Sequence, residues 1–348
     1  MPIPPLYGHE GLRDRLAAAI AAGRLPQALL LAGPQGVGKQ RVALWAAEAL
    51  LCQRDSTGQP CGTCQGCRLV QSLSHPDLHW FVPIEPPKRA GDADKQVDLV
   101  EEALAEVMAA RRQHPLYEPP SGLASHPIAT VRLLARRLAL KPALGDRKVF
   151  VIGDADRLVP QPGQEAAANA LLKALEEPPP GAFFILTSAA PEALLPTILS
   201  RIVHVRVAPI GDSVVAAFAQ QELGITSQRQ LAQLVAGAQG CIGKLLAREK
   251  GEGDAAARAE RFLEAARGQR AARYAFALGQ APFQARGAFT ALLDDLLERL
   301  RAQARTGRPS APVVEAIAQV LDARRAAQGS VNPQLIAAVL ADEWPEGA

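Results

Sequence analysis

Three groups of residues in this chain have the types and spacing to do chemistry. The first, Gly33-Pro34-Gln35-Gly36-Val37-Gly38-Lys39-Gln40, fits the phosphate-binding loop G-x-x-x-x-G-K-[ST] at every position but the last. Gly33, Gly36 and Gly38 let backbone N–H groups converge on phosphate oxygens, and Lys39 can reach the terminal phosphates. Gln40 stands where a Ser or Thr hydroxyl would bind Mg²⁺, so nucleotide binding and hydrolysis become separate questions. The second group is Cys52-x8-Cys61-x2-Cys64-x2-Cys67. Four thiolates suit tetrahedral Zn²⁺, and a closed shell leaves no open position for catalysis, so the reading is a structural zinc stapling the excursion at 52–67. The rivals are an iron–sulfur cluster, since Cys61, Cys64 and Cys67 share the C-x2-C-x2-C run, and plain free thiols; the Cys-Pro that a ferredoxin-like run needs downstream is absent. The third group is Gly153-Asp154-Ala155-Asp156, where P-loop enzymes place an acidic residue that holds Mg²⁺ or its waters. Here the first position is Gly153.

These groups need elements to hold them. Ala28 to Ala32 is a short apolar run, and helical periodicity follows the loop through Val42, Ala43, Ala46, Ala47, Leu50 and Leu51, giving strand, glycine loop, helix. Leu12, Leu16, Ala19 and Ile20 predict a helix over 9–22 closed by Gly23. His75-Pro76-Asp77 predicts a turn before a strand at His79 to Val82, and neither His75 nor His79 is expected on metal, because the cysteines complete a shell. Residues 85–124 combine Pro-rich ends with a charged helical middle from Asp94 to Arg112, an insertion or partly mobile loop. From Ile128 a helix carries Val131, Leu134, Leu138 and Leu140 inward and Arg132, Arg136, Arg137 and Lys141 outward, a basic face that is either solvated or phosphate-contacting.

Lys148 to Ile152, Phe183 to Ser188 and Val203 to Val207 read as strands. Between them lie a helix from Asn169 to Glu177, stopped by Pro178-Pro179-Pro180, and a short helix from Leu194 to Leu199. Alternating strands and helices predict a parallel α/β sheet over residues 1–207. Beyond Pro209 the strands stop: three short helices cover 212–248, with Cys241 a small core residue, then a linker at 251–254 and an all-α region over 255–345.

With 348 residues, 48% of them hydrophobic, the chain can fill two or three domains. A net charge of +3 permits nucleic-acid contact without arguing for it. No apolar run reaches membrane-span length and the start lacks signal-peptide character, so a cytoplasmic protein is expected, whose clustered cysteines favour metal over disulfides.

Taken together, the loop at 33–40, the four cysteines, Gly153-Asp154-Ala155-Asp156, the run Ala168-Asn169-Ala170-Leu171-Leu172-Lys173-Ala174-Leu175-Glu176-Glu177-Pro178-Pro179, and Ser200-Arg201 resemble the delta-prime family of bacterial clamp-loader subunits, part of the DNA polymerase III holoenzyme. That resemblance implies an AAA+ P-loop domain at 1–207, a three-helix lid at 208–250 and a collar domain at 251–348, the last matched only by its helical character and Gly329-Ser330-Val331-Asn332-Pro333-Gln334-Leu335. It implies partners as well: motor subunits and delta in a pentameric ring, the sliding clamp, and primed DNA reached through the complex. Relative to active members, Gln40 replaces the metal-binding hydroxyl, Gly153 the aspartate, and Asp154 falls at the catalytic glutamate. Intrinsic ATPase activity is therefore not expected, though ATP or ADP could stay on the loop. Ser200-Arg201 resembles the Ser-Arg-Cys motif that presents an arginine to a neighbour's ATP, which makes Arg201 the expected functional residue in trans. Thr187 matches a polar strand-end residue by position, and Gly243-Lys244 lies near where active lids carry a sensing arginine. Two other readings are a working AAA+ motor subunit, against which Gln40 and Gly153 speak, and a zinc-containing DNA-binding protein, whose knuckle would carry only Arg54 as a basic residue.

Overall fold

Leu29, Leu30 and Leu31 have no polar face to offer water, and all three lie in the middle of a parallel sheet with 2% exposure or less. Each such side chain contributes roughly 1.5–3 kcal/mol of burial free energy. The computed structural model describes residues 3–54, 57–85, 92–116, 124–159, 165–249, 253–280, 286–305, 310–328 and 331–347. The chain divides into two units, Met1–Leu246 and Ala247–Ala348.

The first unit runs α1 (Glu10–Ala21), β1 (Ala28–Ala32), α2 (Lys39–Leu50), α3 (Gln65–Gln71), β2 (Leu78–Phe81), α4 (Ala93–Gln113), α5 (Ile128–Leu138), β3 (Lys148–Ile152), α6 (Ala166–Glu176), β4 (Ala182–Ser188), α7 (Pro196–Leu199), β5 (Val203–Arg206), α8 (Asp212–Leu223), α9 (Gln228–Ala238) and α10 (Ile242–Glu249). Its five strands pair in the order β2-β3-β4-β1-β5, every pairing parallel. Successive strand residues face opposite sides, so the sheet has two cores. Leu30, Phe150, Ile152, Phe184 and Leu186 pack on one side under α4, α5 and α6. Leu29, Leu31, Val149, Val151 and Ile185 pack on the other, under α1 and α2. Both faces being covered explains why the central strands read as unbroken apolar runs. A third cluster, including Val215, Phe218, Ile225, Ala238 and Leu245, is the core of α8 to α10, with Tyr7 and Leu116 packed against it.

Two expectations need correction, on Leu140 and on residues 253–254. The charged helical middle expected within 85–124 is α4, which buries Val97, Val100 and Leu104 in the main core as an amphipathic layer of the fold. The Pro-rich ends of that stretch, Pro86-Pro87 and Glu118-Pro119-Pro120, fall outside the described residues. Leu140 does not turn inward; α5 ends at Leu138 and Leu140 is 63% exposed. The helical phase that would turn it inward ends with α5, two residues earlier. Gly253 and Asp254, read as linker, open α11 (Gly253–Arg267); Gly251 and Glu252 lie outside the described residues.

The second unit contains α11, α12 (Arg270–Leu278), α13 (Arg286–Arg305), α14 (Ala311–Gln328) and α15 (Pro333–Asp342). They close on a core holding Phe262, Leu292, Leu293, Leu296, Val320 and Leu340. Among the described residues no helix is long and apolar enough to cross a membrane.

Candidate functional site

Because the strands are parallel, their carboxyl ends lie along one edge, and the loop after β1, Gly153 after β3 and Thr187 at the end of β4 meet there. The loop takes left-handed turns at Gly36 (φ +76°) and Gly38 (φ +101°), which a side chain would strain. Gly33 packs so tightly on β5's extension that an added Cβ would fall 2.2 Å from the carbonyl oxygen of Val207.

Four of the loop's carbonyls, those of Gly33, Pro34, Gly36 and Val37, are engaged by side chains or by α10. Lys39 is 6% exposed, and its Nζ donates to the carbonyls of Gly33 and Pro34, each at 2.8 Å. Burial pushes its ammonium below the usual range, and Asp154 and Asp156 oppose that. His9 Nε2 lies 3.0 Å from the carbonyl of Val37, with burial keeping the ring on the neutral side. The N–H of Gly243, on α10, donates to the carbonyl of Gly36 at 2.8 Å, and a Cβ on Gly243 would sit 2.5 Å from the Cα of Gly36. Loop and helix therefore touch backbone to backbone.

Gln40 is 8% exposed, and its Nε2 donates to Asp154 Oδ2 at 3.0 Å, while its Oε1 is buried without a partner. A Cβ on Gly153 would meet Gln40 Cδ and Nε2 at 2.8 Å. The two departures from the magnesium-binding pattern thus occupy one space: the longer side chain at 40 fills what an aspartate at 153 would need. Asp154 holds a left-handed backbone (φ 49°), and its N–H donates to Thr187 Oγ1 at 3.0 Å. His126 is fully buried behind them; its Nε2–H donates to the carbonyl of Gly153 at 2.8 Å, and burial pushes the ring down to about 4.

Arg201, just past α7, lies well away in sequence from the loop and keeps its own contacts. Its Nη2 pairs with Glu176 Oε1 at 2.8 Å and its Nη1 donates to the carbonyl of Thr197 at 2.8 Å, with the side chain 36% exposed. Glu176 was visible in the run before Pro178 but gave no sign of reaching Arg201.

The cysteines converge as their spacing predicts. All four Sγ atoms lie within 4.8 Å of one another, with Cys61 to Cys67 and Cys52 to Cys64 at 3.9 Å. Sulfurs about 2.3 Å from a central ion form a tetrahedron with edges of about 3.8 Å, so the set fits a metal such as zinc. Backbone N–H groups support the shell: that of Cys64 donates to Cys61 Sγ at 3.3 Å and that of Cys67 to Cys64 Sγ at 3.4 Å. Donors from Thr63 and Cys64 hold the Cys61 thiol down to about 6. Cys52 follows α2 directly and Cys64 caps α3, so the cluster staples these helices. His75 and His79 stand outside it, and Cys241 is buried in the sheet core.

Of the basic face, Arg132, Arg136 and Lys141 are exposed, whereas Arg137 is half-buried and pairs with Glu101 at 2.8 Å; Arg136 meets Asp98 at 3.4 Å. His9, His126 and the Gly36–Gly243 contact were not foreseen as parts of the site. Their signal is tertiary: a lone His carries no periodic information, and a glycine pair 207 positions apart has no local signature.

A sequence profile described as "DNA polymerase III, delta subunit" matches residues 8–211. The chain is 30% identical over 221 residues to DNA polymerase III subunit delta' of Escherichia coli K12, covering 64% of this chain and 54% of that one. It is 34% identical over 178 residues to the delta' subunit of Pseudomonas aeruginosa, covering 51% of this chain and 42% of that one. The chain thus spans about half the length of the curated relatives it matches. A gamma-subunit-related protein of Thermotoga maritima aligns over 95% of this chain and 99% of that one at 16% identity and a TM-score of 0.45. With the profile running through the glycine loop, the cysteine cluster, the strand ends and Arg201, this chain belongs to the delta-prime subunit family of DNA polymerase III.

Proposed function

We propose that this chain is a non-motor subunit of a clamp loader, silent at its own nucleotide site and active on its neighbour's. The observation that carries the first half is Gln40 standing in the space beside Gly153. Mg²⁺ bridges the transferred phosphates and neutralises developing charge, so removing both protein handles on it disables hydrolysis even where a nucleotide docks. Lys39 turned onto Gly33 and Pro34, and Gly36 bonded to Gly243, support the same reading. The second half rests on Arg201, whose guanidinium remains charged and partly exposed at the end of α7 and would fork onto a neighbouring ATP in the assembled ring, exchanging Glu176 for phosphate.

In this reading residues 1–207 form the AAA+ module, 208–250 the lid and 251–348 the collar. The four cysteines hold structural Zn²⁺. The partners are motor subunits, delta, the sliding clamp and primed DNA. The test is the DNA-stimulated ATPase rate of the reconstituted loader. Arg201→Ala is expected to lower it by about tenfold or more, since a finger supplied in trans can be worth ~10³–10⁵ in rate. An unchanged rate removes the finger, and magnesium-dependent turnover by the isolated chain, abolished by Lys39→Ala, removes the silent site.

A further inference from the structure

The four sulfurs of the cysteine cluster are not equally placed. Cys64 and Cys67 are buried, 3% and 0% exposed, whereas Cys52 and Cys61 are partly open to solvent. The two contacts at 3.9 Å, Cys52 to Cys64 and Cys61 to Cys67, each join an open sulfur to a buried one. An oxidant arriving from solvent therefore meets Cys52 or Cys61 first, and each has a buried thiol beside it.

Their surroundings distinguish the two open sulfurs. Cys61 Sγ accepts the N–H of Cys64 at 3.3 Å and the hydroxyl of Thr63 at 3.6 Å, donors that draw on its lone pairs and lower its nucleophilicity. Among the described residues no N–H or O–H donates to Cys52 Sγ, whose neighbour is the thiol of Cys64. Backbone position favours the same sulfur. Cys52 lies just past α2 and Cys64 is the N-cap of α3, both outside regular helix, while Cys67 is held in the first turn of α3. A disulfide needs its sulfurs at about 2.05 Å, so the chain must close on itself, and two helix ends yield more readily than a residue within a turn. These ends already abut: a Cβ on Gly66 would fall 2.3 Å from the carbonyl oxygen of Leu51.

We propose that Cys52 and Cys64 form a peroxide-sensitive pair whose oxidation releases the metal of the cluster. Hydrogen peroxide transfers one oxygen to the Cys52 thiolate, leaving a sulfenic acid and hydroxide. The Cys64 thiolate then attacks the sulfenic sulfur, the S–O bond breaks, and a second hydroxide leaves as the Cys52–Cys64 disulfide forms. Peroxide gains two electrons and the two thiolates lose them. Cys61 and Cys67, left with two sulfurs between them, no longer complete a tetrahedral shell and give up the ion. A dithiol reductant reverses the bond by exchange and restores the site. This inference rests on the structural-zinc reading and on nothing in the nucleotide site.

The test uses the full chain, with its zinc content measured first. Excess hydrogen peroxide is added, zinc release is followed with a chromogenic chelator, remaining thiols are alkylated, and tryptic peptides are mapped by mass spectrometry without reduction. Cleavage after Arg41, Arg54 and Arg68 places Cys52 in residues 42–54 and Cys61, Cys64 and Cys67 together in residues 55–68. The expected product joins these two peptides through Cys64, with Cys61 and Cys67 alkylated; it forms as zinc is released and disappears when a dithiol and zinc are added. Cys241→Ser, which removes the thiol buried in the sheet core, should leave both readouts unchanged. A disulfide confined to residues 55–68 with Cys52 alkylated, a sulfinic acid at Cys52 without a link, or zinc retained in excess peroxide overturns the proposal. Zinc absent before peroxide is added fails the structural-zinc reading instead, and the peptide link then decides the pair by itself.

Discussion

The carboxamide of Gln40 occupies the volume into which a side chain at residue 153 would grow: a Cβ there would stand 2.8 Å from Gln40 Cδ. The two positions are therefore one steric unit. Gly153→Ala should cost about 1–2 kcal/mol in the native background, within the usual range for overpacking a core. With Gln40→Ser the same substitution should cost much less. A double-mutant cycle by denaturant unfolding measures the coupling, and additive effects would show the two side chains to be independent.

Arg201 is tethered to Glu176, both partly exposed, so the pair is worth less than about 1 kcal/mol to the isolated chain. Glu176→Ala should leave stability nearly unchanged and the loader's ATPase rate largely intact, whereas Arg201→Ala loses it. Arg201→Lys should not restore the rate, because an ammonium lacks the guanidinium's fork. Equal losses from Glu176→Ala and Arg201→Ala would assign the arginine to its local contact.

Metal analysis of the purified chain should find zinc at one ion per molecule and no iron. Cys64→Ser, or removal of the ion by a strong chelator, should lower Tm by about 5–10 °C at roughly 2–4 °C per kcal/mol for a unit of this size. Unchanged Tm after verified metal loss would mean that α2 and α3 hold together without the staple.

His126 titrates down at about 4 because burial disfavours its charged form. Above the ordinary histidine value both folded and unfolded rings are neutral, and its stability contribution is complete. Below it the unfolded chain takes up a proton that the fold refuses, so stability falls between about pH 6.5 and 4, by up to about 3 kcal/mol. Unfolding free energies measured across this window should fall less steeply in His126→Gln, the remaining slope coming from His79, which burial also pushes down to about 4. An unaltered slope would place the titration elsewhere.

Much of this was legible in the chain. Unbroken apolar runs of strand length announce buried parallel strands, and Gly33 to Gln40 announces the loop between strand and helix. The cysteine spacing carries its own geometry, since three of the four cysteines sit within seven residues. What stayed illegible depends on contacts between distant segments. The inward place of Leu140 extends a helical period beyond Leu138, where α5 ends, and the helix expected at 94–112 gives no sign that its Val97, Val100 and Leu104 stripe docks on the main core, because charged residues outnumber it. Gln40 and Gly153 agree in the sequence as departures from one magnesium-binding pattern, but their shared volume depends on a tertiary approach between positions 113 apart.

The bond from Gly243 to Gly36 has a thermodynamic corollary. An anion whose entry turns the Gly36 carbonyl away from Gly243 has to break this bond as well, so the work of displacing the helix is subtracted from whatever the anion gains. Occupancy of the cradle and posture of the helix then become conjugate readings of one equilibrium: a contact elsewhere that pulls α10 outward raises phosphate affinity by the same factor by which phosphate would loosen α10.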